Sequence, residues 1–180
     1  MNILFSVVLL ILALAVVMLF AMYGELAARV QAGGGGSSKS TLIPLDEAKL
    51  GRSPDRWPTE FGLLSQADVP VGVLVLSASC RSCARVAAQL VAGGETWRGK
   101  LLGVVISAAS LDRAQEFQAA NGLTDFTCYL DDGGEWVTGE FGVQSSPVAL
   151  IMRSGKLDAA YILDDLDLLK PLIPTTTEAA

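Results

Sequence analysis

Short apolar runs alternate with segments of helical periodicity between residues 69 and 130. The first two runs are rich in valine and almost free of polar residues, which is typical of strands buried on both faces of a sheet. The segments between the runs place apolar residues at helical spacing and stop at glycine or asparagine. The predicted strands are residues 69–77, 101–107 and 126–130, and the predicted helices are residues 80–91 and 111–120.

A hairpin follows this alternating part. Two apolar runs, residues 148–152 and 157–162, flank Arg153-Ser154-Gly155-Lys156, which is a good turn sequence, and residues 164–169 can form a short helix. A parallel half joined to an antiparallel hairpin predicts an α/β fold, with a central mixed sheet and helices on both faces. The predicted domain is long enough to bury one core of its own.

The amino-terminal segment has a different composition. Residues 3–23 contain one serine and no charged side chain, and a helix of that length spans about 30 Å of bilayer. A cleaved signal peptide is the alternative, but the apolar run is too long and no Lys or Arg precedes it. The sequence therefore predicts a transmembrane anchor at residues 1–24 whose apolar part contacts lipid. A juxtamembrane segment and glycine-rich linker follow at 25–59, the domain at 60–172 and a tail at 173–180.

The side-chain inventory excludes several kinds of function. The chain contains no histidine, which removes Ser-His-Asp triads, Cys-His nucleophiles and histidine-ligated metals. Its three cysteines are too few for an all-cysteine zinc site. A net charge of −6 argues against a nucleic-acid partner, which requires a basic surface. We therefore expect no metal and no cofactor, and the chemistry must come from carboxylates, hydroxyls or thiols.

A CxxC motif stands where a predicted buried strand passes into a helix. There, free backbone N–H groups and the positive end of the helix dipole favour Cys80 as a thiolate. Arg81, with Arg85 nearby, and Ser79 are the predicted supports of that thiolate. The spacing places Cys83 one turn along the same face, within disulfide reach. Attack by Cys80 on a partner disulfide would give a mixed disulfide, which Cys83 then resolves.

In this context the segment Ser79-Cys80-Arg81-Ser82-Cys83 resembles the active site of the thioredoxin-like superfamily. Residues 141–151 (FGVQSSPVALI) are similar to the family segment in which a cis-proline opens the penultimate strand beside the CxxC. The resemblance implies a thioredoxin-like fold over about residues 60–172. It also implies a cis bond between Ser146 and Pro147, and a substrate chain that pairs with the backbone of Ser146.

Together with the single anchor, this layout is similar to membrane-tethered thioredoxin-like proteins of bacteria, including the cytochrome c biogenesis group and the methylamine dehydrogenase maturation protein. That resemblance implies a single-pass protein of the cytoplasmic membrane with its soluble domain on the outer side. The sparse flanking charge, taken alone, leans towards a cytoplasmic domain. The resemblance also implies exported protein thiols or disulfides as substrates, and a membrane electron donor or acceptor.

Three positions depart from thioredoxin itself. Ser79 stands where thioredoxin has tryptophan, Leu74 where it has a buried aspartate that assists proton transfer, and Arg81-Ser82 where it has Gly-Pro. The resolving step therefore lacks its usual acid. Because the dipeptide between the cysteines helps to set the redox poise, the direction of exchange stays open.

The sequence thus predicts a membrane-tethered thiol–disulfide oxidoreductase with Cys80 attacking and Cys83 resolving. The alternative is a thioredoxin-like module without catalysis that assists assembly of a membrane or exported complex. The pair could otherwise be a structural disulfide, or half of a metal site that lacks further ligands. Cys128 is interpreted as an inert buried thiol. A peroxidase is disfavoured, because Val73 occupies the place where that chemistry expects a proline.

Overall fold

A computed structural model describes residues 41–175 together with Phe5, Val16 and Met18. The remaining residues of the predicted anchor, and residues 25–40 of the predicted juxtamembrane segment and linker, lie outside the described residues. Within the described residues, no helix combines the length and the apolar character that crossing a membrane requires. Residues 41–175 belong to one compact unit.

This unit is built from short, regular elements. The strands are β1 (Ile43–Pro44), β2 (Val71–Ser77), β3 (Leu102–Ala108), β4 (Cys128–Asp132), β5 (Val148–Arg153) and β6 (Lys156–Ile162). The α-helices are α1 (Gly62–Ser65), α2 (Arg81–Ala92), α3 (Glu95–Arg98), α4 (Leu111–Ala120) and α5 (Glu135–Phe141), and 3₁₀ turns lie at Thr59–Phe61, Leu123–Asp125 and Leu166–Leu169.

The strands form one mixed sheet in the order β1-β6-β5-β2-β3-β4. β2, β3 and β4 are parallel, whereas β5 runs antiparallel to β2, and β6 lies antiparallel between β5 and β1. Parallel neighbours require crossover connections, which the segments containing α2 and α4 provide. β2 is therefore central, and the chain leaves its carboxyl end directly into the CxxC.

Helices cover both faces of the sheet, as predicted. On one face α2 and α4 pack against Leu74 and Leu76 of β2. On the other face α5 and the segment Thr59–Phe61 pack near Val73 and Val75. Successive side chains of a strand point to opposite faces, so β2 supplies two cores at once and reads as a continuous apolar run.

Residues 41–58 differ from the prediction, which gave them no element and placed them in the linker. β1 pairs with β6. Leu45 and Ala48 are buried, and the Leu45 N–H donates to the Ala160 carbonyl at 2.9 Å. The described domain therefore begins before residue 60. Two buried apolar residues among proline and charged residues are too few to produce a recognisable period.

The carboxyl-terminal boundary also extends beyond the prediction. Ile173, which was assigned to the tail, is 1% exposed and packs against the backbone of Gly72. A Cβ atom on Gly72 would lie 2.3 Å from Cδ1 of Ile173, so only glycine allows this approach.

Helix α5 was not predicted because it has only seven residues and includes Thr138 and Gly139. Its amino terminus is held by Asp131, the last buried residue of β4. The Asp131 carboxylate accepts hydrogen bonds from the backbone N–H groups of Trp136, at 2.9 Å, and Val137, at 3.1 Å. The first N–H groups of a helix have no acceptor within the helix, and here they hydrogen-bond the buried carboxylate of Asp131.

The contribution of residues 41–58 can be measured by core truncation. We expect Leu45→Ala to lower the free energy of unfolding by about 2–4 kcal/mol, because it removes a buried side chain. Leu50→Ala is the matched control, since Leu50 is 60% exposed and its loss should cost less than about 0.5 kcal/mol. Denaturant unfolding of the two variants makes the comparison. Equal, small effects would show that residues 41–58 are not part of the cooperative unit.

Candidate active site

Cys80 is the N-cap residue of α2 and lies three residues after the end of β2. Its backbone is extended, with φ −101° and ψ 119°, and its carbonyl accepts the first helical hydrogen bond from the Ala84 N–H. The Cys80 Sγ accepts a hydrogen bond from the Cys83 N–H at 3.3 Å, as a capping side chain does. The predicted position at the start of the helix is therefore the one observed, and the half-buried sulfur remains accessible.

Cys83 lies one turn further on and is fully buried. Its Sγ accepts a hydrogen bond from the Ser77 N–H, at the end of β2, over 3.3 Å. Both cysteines are free thiols in this structure. One thiol therefore faces outward and the other is held against the end of the central strand.

Opposing effects set the protonation of Cys80. Partial burial raises its pKa, but hydrogen bonds from the Cys83 side chain, the Ser82 hydroxyl, the Cys83 N–H and the Ser146 side chain together lower the pKa to about 7. The Ser82 Oγ lies 3.0 Å from the Cys80 Sγ. Near neutral pH a substantial fraction of Cys80 is therefore thiolate, the nucleophilic form.

Cys83 is shifted in the other direction. Burial raises the pKa of Cys83, the neighbouring Cys80 raises it further, and the hydrogen bonds from Ser77 and Ser146 only partly offset this, leaving a pKa of about 12. The two thiols of one motif are therefore chemically different: Cys80 ionises readily, and Cys83 stays protonated.

Neither Arg81 nor Ser79, the two predicted supports of the thiolate, is among the groups that shift the pKa of Cys80. Arg81 is exposed. Ser79 is also exposed, and its hydroxyl lies 3.1 Å from the Ser77 hydroxyl. Ser82 approaches the sulfur instead. The position of Ser82, two residues after the N-cap Cys80, could have indicated this contact. In the sequence, Arg81-Ser82 stands out only as a departure from the Gly-Pro of thioredoxin.

The loop before β5 brings Ser146 and Pro147 to the cysteines, as the resemblance implied. The Ser146–Pro147 peptide bond is cis. The Cys80 thiol donates to the Ser146 carbonyl over 3.5 Å, which favours the protonated thiol, whereas the Ser146 side chain lowers the pKa of both cysteines. On balance the pKa of Cys80 is lowered.

This loop has a partner that sequence reasoning missed. The Ser145 hydroxyl donates to the Glu47 carboxylate at 3.2 Å. The two residues are far apart in the chain, so no local pattern connects them. Through Glu47, residues 41–58 support the loop beside the cysteines.

A cleft of about 720 Å³ opens next to the motif. It crosses the carboxyl ends of β2 and β3, from α4 on one face to α5 and the Ser146 loop on the other. Hydroxyl side chains are prominent in its lining: Ser77, Ser79, Ser107, Thr138, Ser145 and Ser146. The charged residues Arg113 and Glu116 also line it, and their side chains pair with each other at 3.4 Å.

Leu74, in the place of thioredoxin's buried aspartate, is fully buried in the core beneath α2. The groups that shift the pKa of Cys83 include no carboxylate. Cys128 is half-buried, donates to the Leu123 carbonyl at 3.3 Å, and has its pKa raised to about 11, chiefly by burial. This environment supports its interpretation as an unreactive thiol. The described residues contain no cluster of side chains suited to a metal ion.

Comparison with solved structures identifies the fold as thioredoxin-like. The protein described as thiol:disulfide interchange protein DsbE from Chlorobium tepidum matches with a TM-score of 0.52 and 18% identity, over 69% of this chain and 96% of that one. The thioredoxin domain of a Bacteroides vulgatus thiol-disulfide oxidoreductase matches with a TM-score of 0.49 and 12% identity, over 75% and 97%.

A secreted Mycobacterium tuberculosis disulfide oxidoreductase homologous to E. coli DsbE gives a TM-score of 0.44 and 17% identity, over 68% and 91%. No protein-family model matches the sequence, and no curated protein matches it. The likeness to the Chlorobium tepidum protein, at 18% identity, establishes the fold alone, and function has to be argued from the site.

The groups that hold the Cys80 thiolate can be separated by mutation. We expect Ser82→Ala to raise the pKa of Cys80 by about one unit, since a hydrogen bond to a charged group contributes about 1.5 kcal/mol. Arg81→Ala should shift it by less than about 0.3 unit, because the exposed charge is screened. The pH profile of the alkylation rate by iodoacetamide measures both. Equal shifts would restore Arg81 as a thiolate support.

Proposed function

We propose that this chain is a membrane-tethered thiol–disulfide oxidoreductase that exchanges disulfides with exported protein substrates. Cys80 is the attacking thiol and Cys83 the resolving thiol. Ser146 and Pro147 border the groove for the substrate chain. The observation that carries the proposal is the contrast within the motif: an accessible, readily ionised thiol at a helix N-terminus stands one turn from a buried, protonated one.

The exchange has two steps. The Cys80 thiolate attacks one sulfur of the partner disulfide, the partner's S–S bond breaks, and the other partner sulfur leaves as a thiolate. Cys83 then loses its proton and attacks the Cys80 sulfur, releasing the second partner thiolate. Two electrons pass from the cysteine pair to the partner. The same steps run in reverse when the oxidised pair meets a dithiol.

The first step itself prepares the second. Part of the raised pKa of Cys83 comes from the neighbouring Cys80, through a hydrogen bond and through charge. Once Cys80 is bound in a mixed disulfide it carries no negative charge, so that part disappears and the pKa of Cys83 falls. The hydrogen bond from the Ser77 N–H then stabilises the Cys83 thiolate. This offers a route to resolution although Leu74 replaces the usual acid.

The tether and the location rest on the sequence. The uncharged residues 3–23 have the length of a membrane span, and the glycine-rich linker lets a domain move while it stays near the bilayer. Tethering raises the effective concentration of the active site for membrane-bound partners, including an electron donor or acceptor. Exchange chemistry of this kind suits the outer side of the cytoplasmic membrane.

A redox titration of the full-length chain in detergent tests the exchange function. We expect two thiols to become unreactive towards alkylation together, at a potential between about −300 and −120 mV, as read by intact mass. Cys80→Ser should abolish the paired loss. Cys128→Ser is the matched control and should leave the midpoint unchanged.

Other outcomes of the titration separate the alternatives. If Cys80 and Cys83 never pair, the non-catalytic interaction module becomes the better interpretation. If the disulfide resists reduction far below −300 mV, the pair is structural. Within the working range, the midpoint indicates whether the protein acts as a reductant or an oxidant.

The pH dependence of the potential tests the assignment of Cys80. Below pH 7 reduction takes up two protons with two electrons, so the potential should fall by about 59 mV per pH unit. Above pH 7 Cys80 stays ionised and only Cys83 binds a proton, so the slope should halve to about 30 mV per unit. Glutathione-buffered equilibria from pH 5.5 to 9 measure the slope. A steep slope up to about pH 8.5 would mean that Cys80 is an ordinary thiol.

A further inference from the structure

Strand β4 ends the sheet in the described part of the chain and has no strand on its outer side. Its orientation follows from two hydrogen bonds to β3: the Thr127 carbonyl accepts from Val104 at 2.9 Å, and the Gly133 N–H donates to Ala108 at 2.8 Å. In a parallel pair, every second residue of a strand points both its N–H and its carbonyl towards the neighbouring strand, and the residues in between point theirs away from it. The N–H and carbonyl of Leu130, midway between them, therefore face outward.

A groove of about 520 Å³ runs along this edge, and residues from both faces of the sheet line it. Leu111 and Leu130 lie on the side of α4. Tyr129 and Trp136 lie on the side of α5. A strand added to β4 would place alternate side chains against these two surfaces, one aliphatic and one aromatic.

The charge of the groove is negative. Among the described residues that line it, Asp132 and Glu135 are exposed carboxylates and none is a lysine or arginine. Because side chains alternate along β4, Asp132 lies on the side of Leu130, whereas Glu135 belongs to α5 on the aromatic side. A basic side chain on the aromatic side would meet Glu135 and the aromatic ring of Trp136, which can act as a cation–π partner. A second copy of this chain would bring the same carboxylates to the interface, and such charges keep sheet edges from pairing with themselves.

We propose that the outer edge of β4 docks an extended segment of a partner protein, in which basic and apolar residues alternate, by β-strand addition. The backbone of this segment would form hydrogen bonds with the outward-facing N–H and carbonyl of Leu130. The β4 edge leads directly to Gly133 and Gly134, which line the cleft beside Ser146. Resting on the proposed function, the docked partner is a protein substrate whose adjoining residues are delivered towards Cys80.

The test uses the full-length Cys80→Ser/Cys83→Ser protein in detergent and a labelled eight-residue peptide of alternating lysine and valine. We expect saturable binding by fluorescence anisotropy. Asp132→Lys/Glu135→Lys should weaken it by about tenfold or more, because two attractions become repulsions. The matched control is Asp68→Lys/Asp164→Lys, an equal charge change at exposed sites outside the groove, which should keep the affinity within about twofold.

Backbone methylation separates strand addition from simple charge attraction. N-methyl groups on alternate residues of the peptide block either the N–H groups that face β4 or those that face solvent. Methylation of the N–H groups that face β4 should abolish binding, whereas methylation of those that face solvent should preserve it. Equal binding by both series, or an equal loss in both charge variants, would overturn the proposal.

Two further outcomes bear on the same edge. Concentration-dependent self-association that Asp132→Lys/Glu135→Lys alters would assign the edge to a second copy instead and overturn the proposal. Because the probe peptide has no cysteine and the protein lacks its reactive pair, binding does not depend on disulfide exchange. Failure of the exchange function and failure of this docking site are therefore distinguishable.

Discussion

The burial of β2 on all sides is the constraint on which the site depends. β3 and β5 pair with its edges, and a separate core covers each face. A strand held in this way ends at a fixed point, Ser77, and α2 begins four residues later, at Arg81. The direction in which Cys80 points is therefore a property of the whole sheet rather than of a flexible loop.

From this junction the chemistry divides between two thiols. The sulfur that caps α2 collects hydrogen bonds from the first turn, and these stabilise negative charge. The sulfur one turn later is buried against the end of the central strand β2, where desolvation keeps it neutral. A single turn of helix thus separates the nucleophilic thiol from the resolving thiol. The first turn of a helix offers free N–H groups that stabilise a thiolate, whereas the buried face of the helix offers none.

Much of this arrangement was predictable from local pattern. The strands β2 and β3, the helix α2 with Cys80 at its start, and the β5–β6 hairpin follow from apolar runs and turn residues. The contacts of Glu47 with Ser145, Leu45 with the β6 backbone, and Ile173 with Gly72 were not predictable, because they join residues far apart in the chain. The choice of Ser82 over Arg81 as the thiol's neighbour depended on side-chain directions at the helix start, which spacing alone does not give.

The pairing of β1 with β6 has a mechanical consequence. Any tension applied to the chain before Thr41 is borne first by β1, which has only two paired residues, and by the burial of Leu45. The central strands carry load only after β1 has detached. Because Glu47 follows in the same segment and holds Ser145, such a pull would reach the loop beside the cysteines before it reached the cysteines themselves.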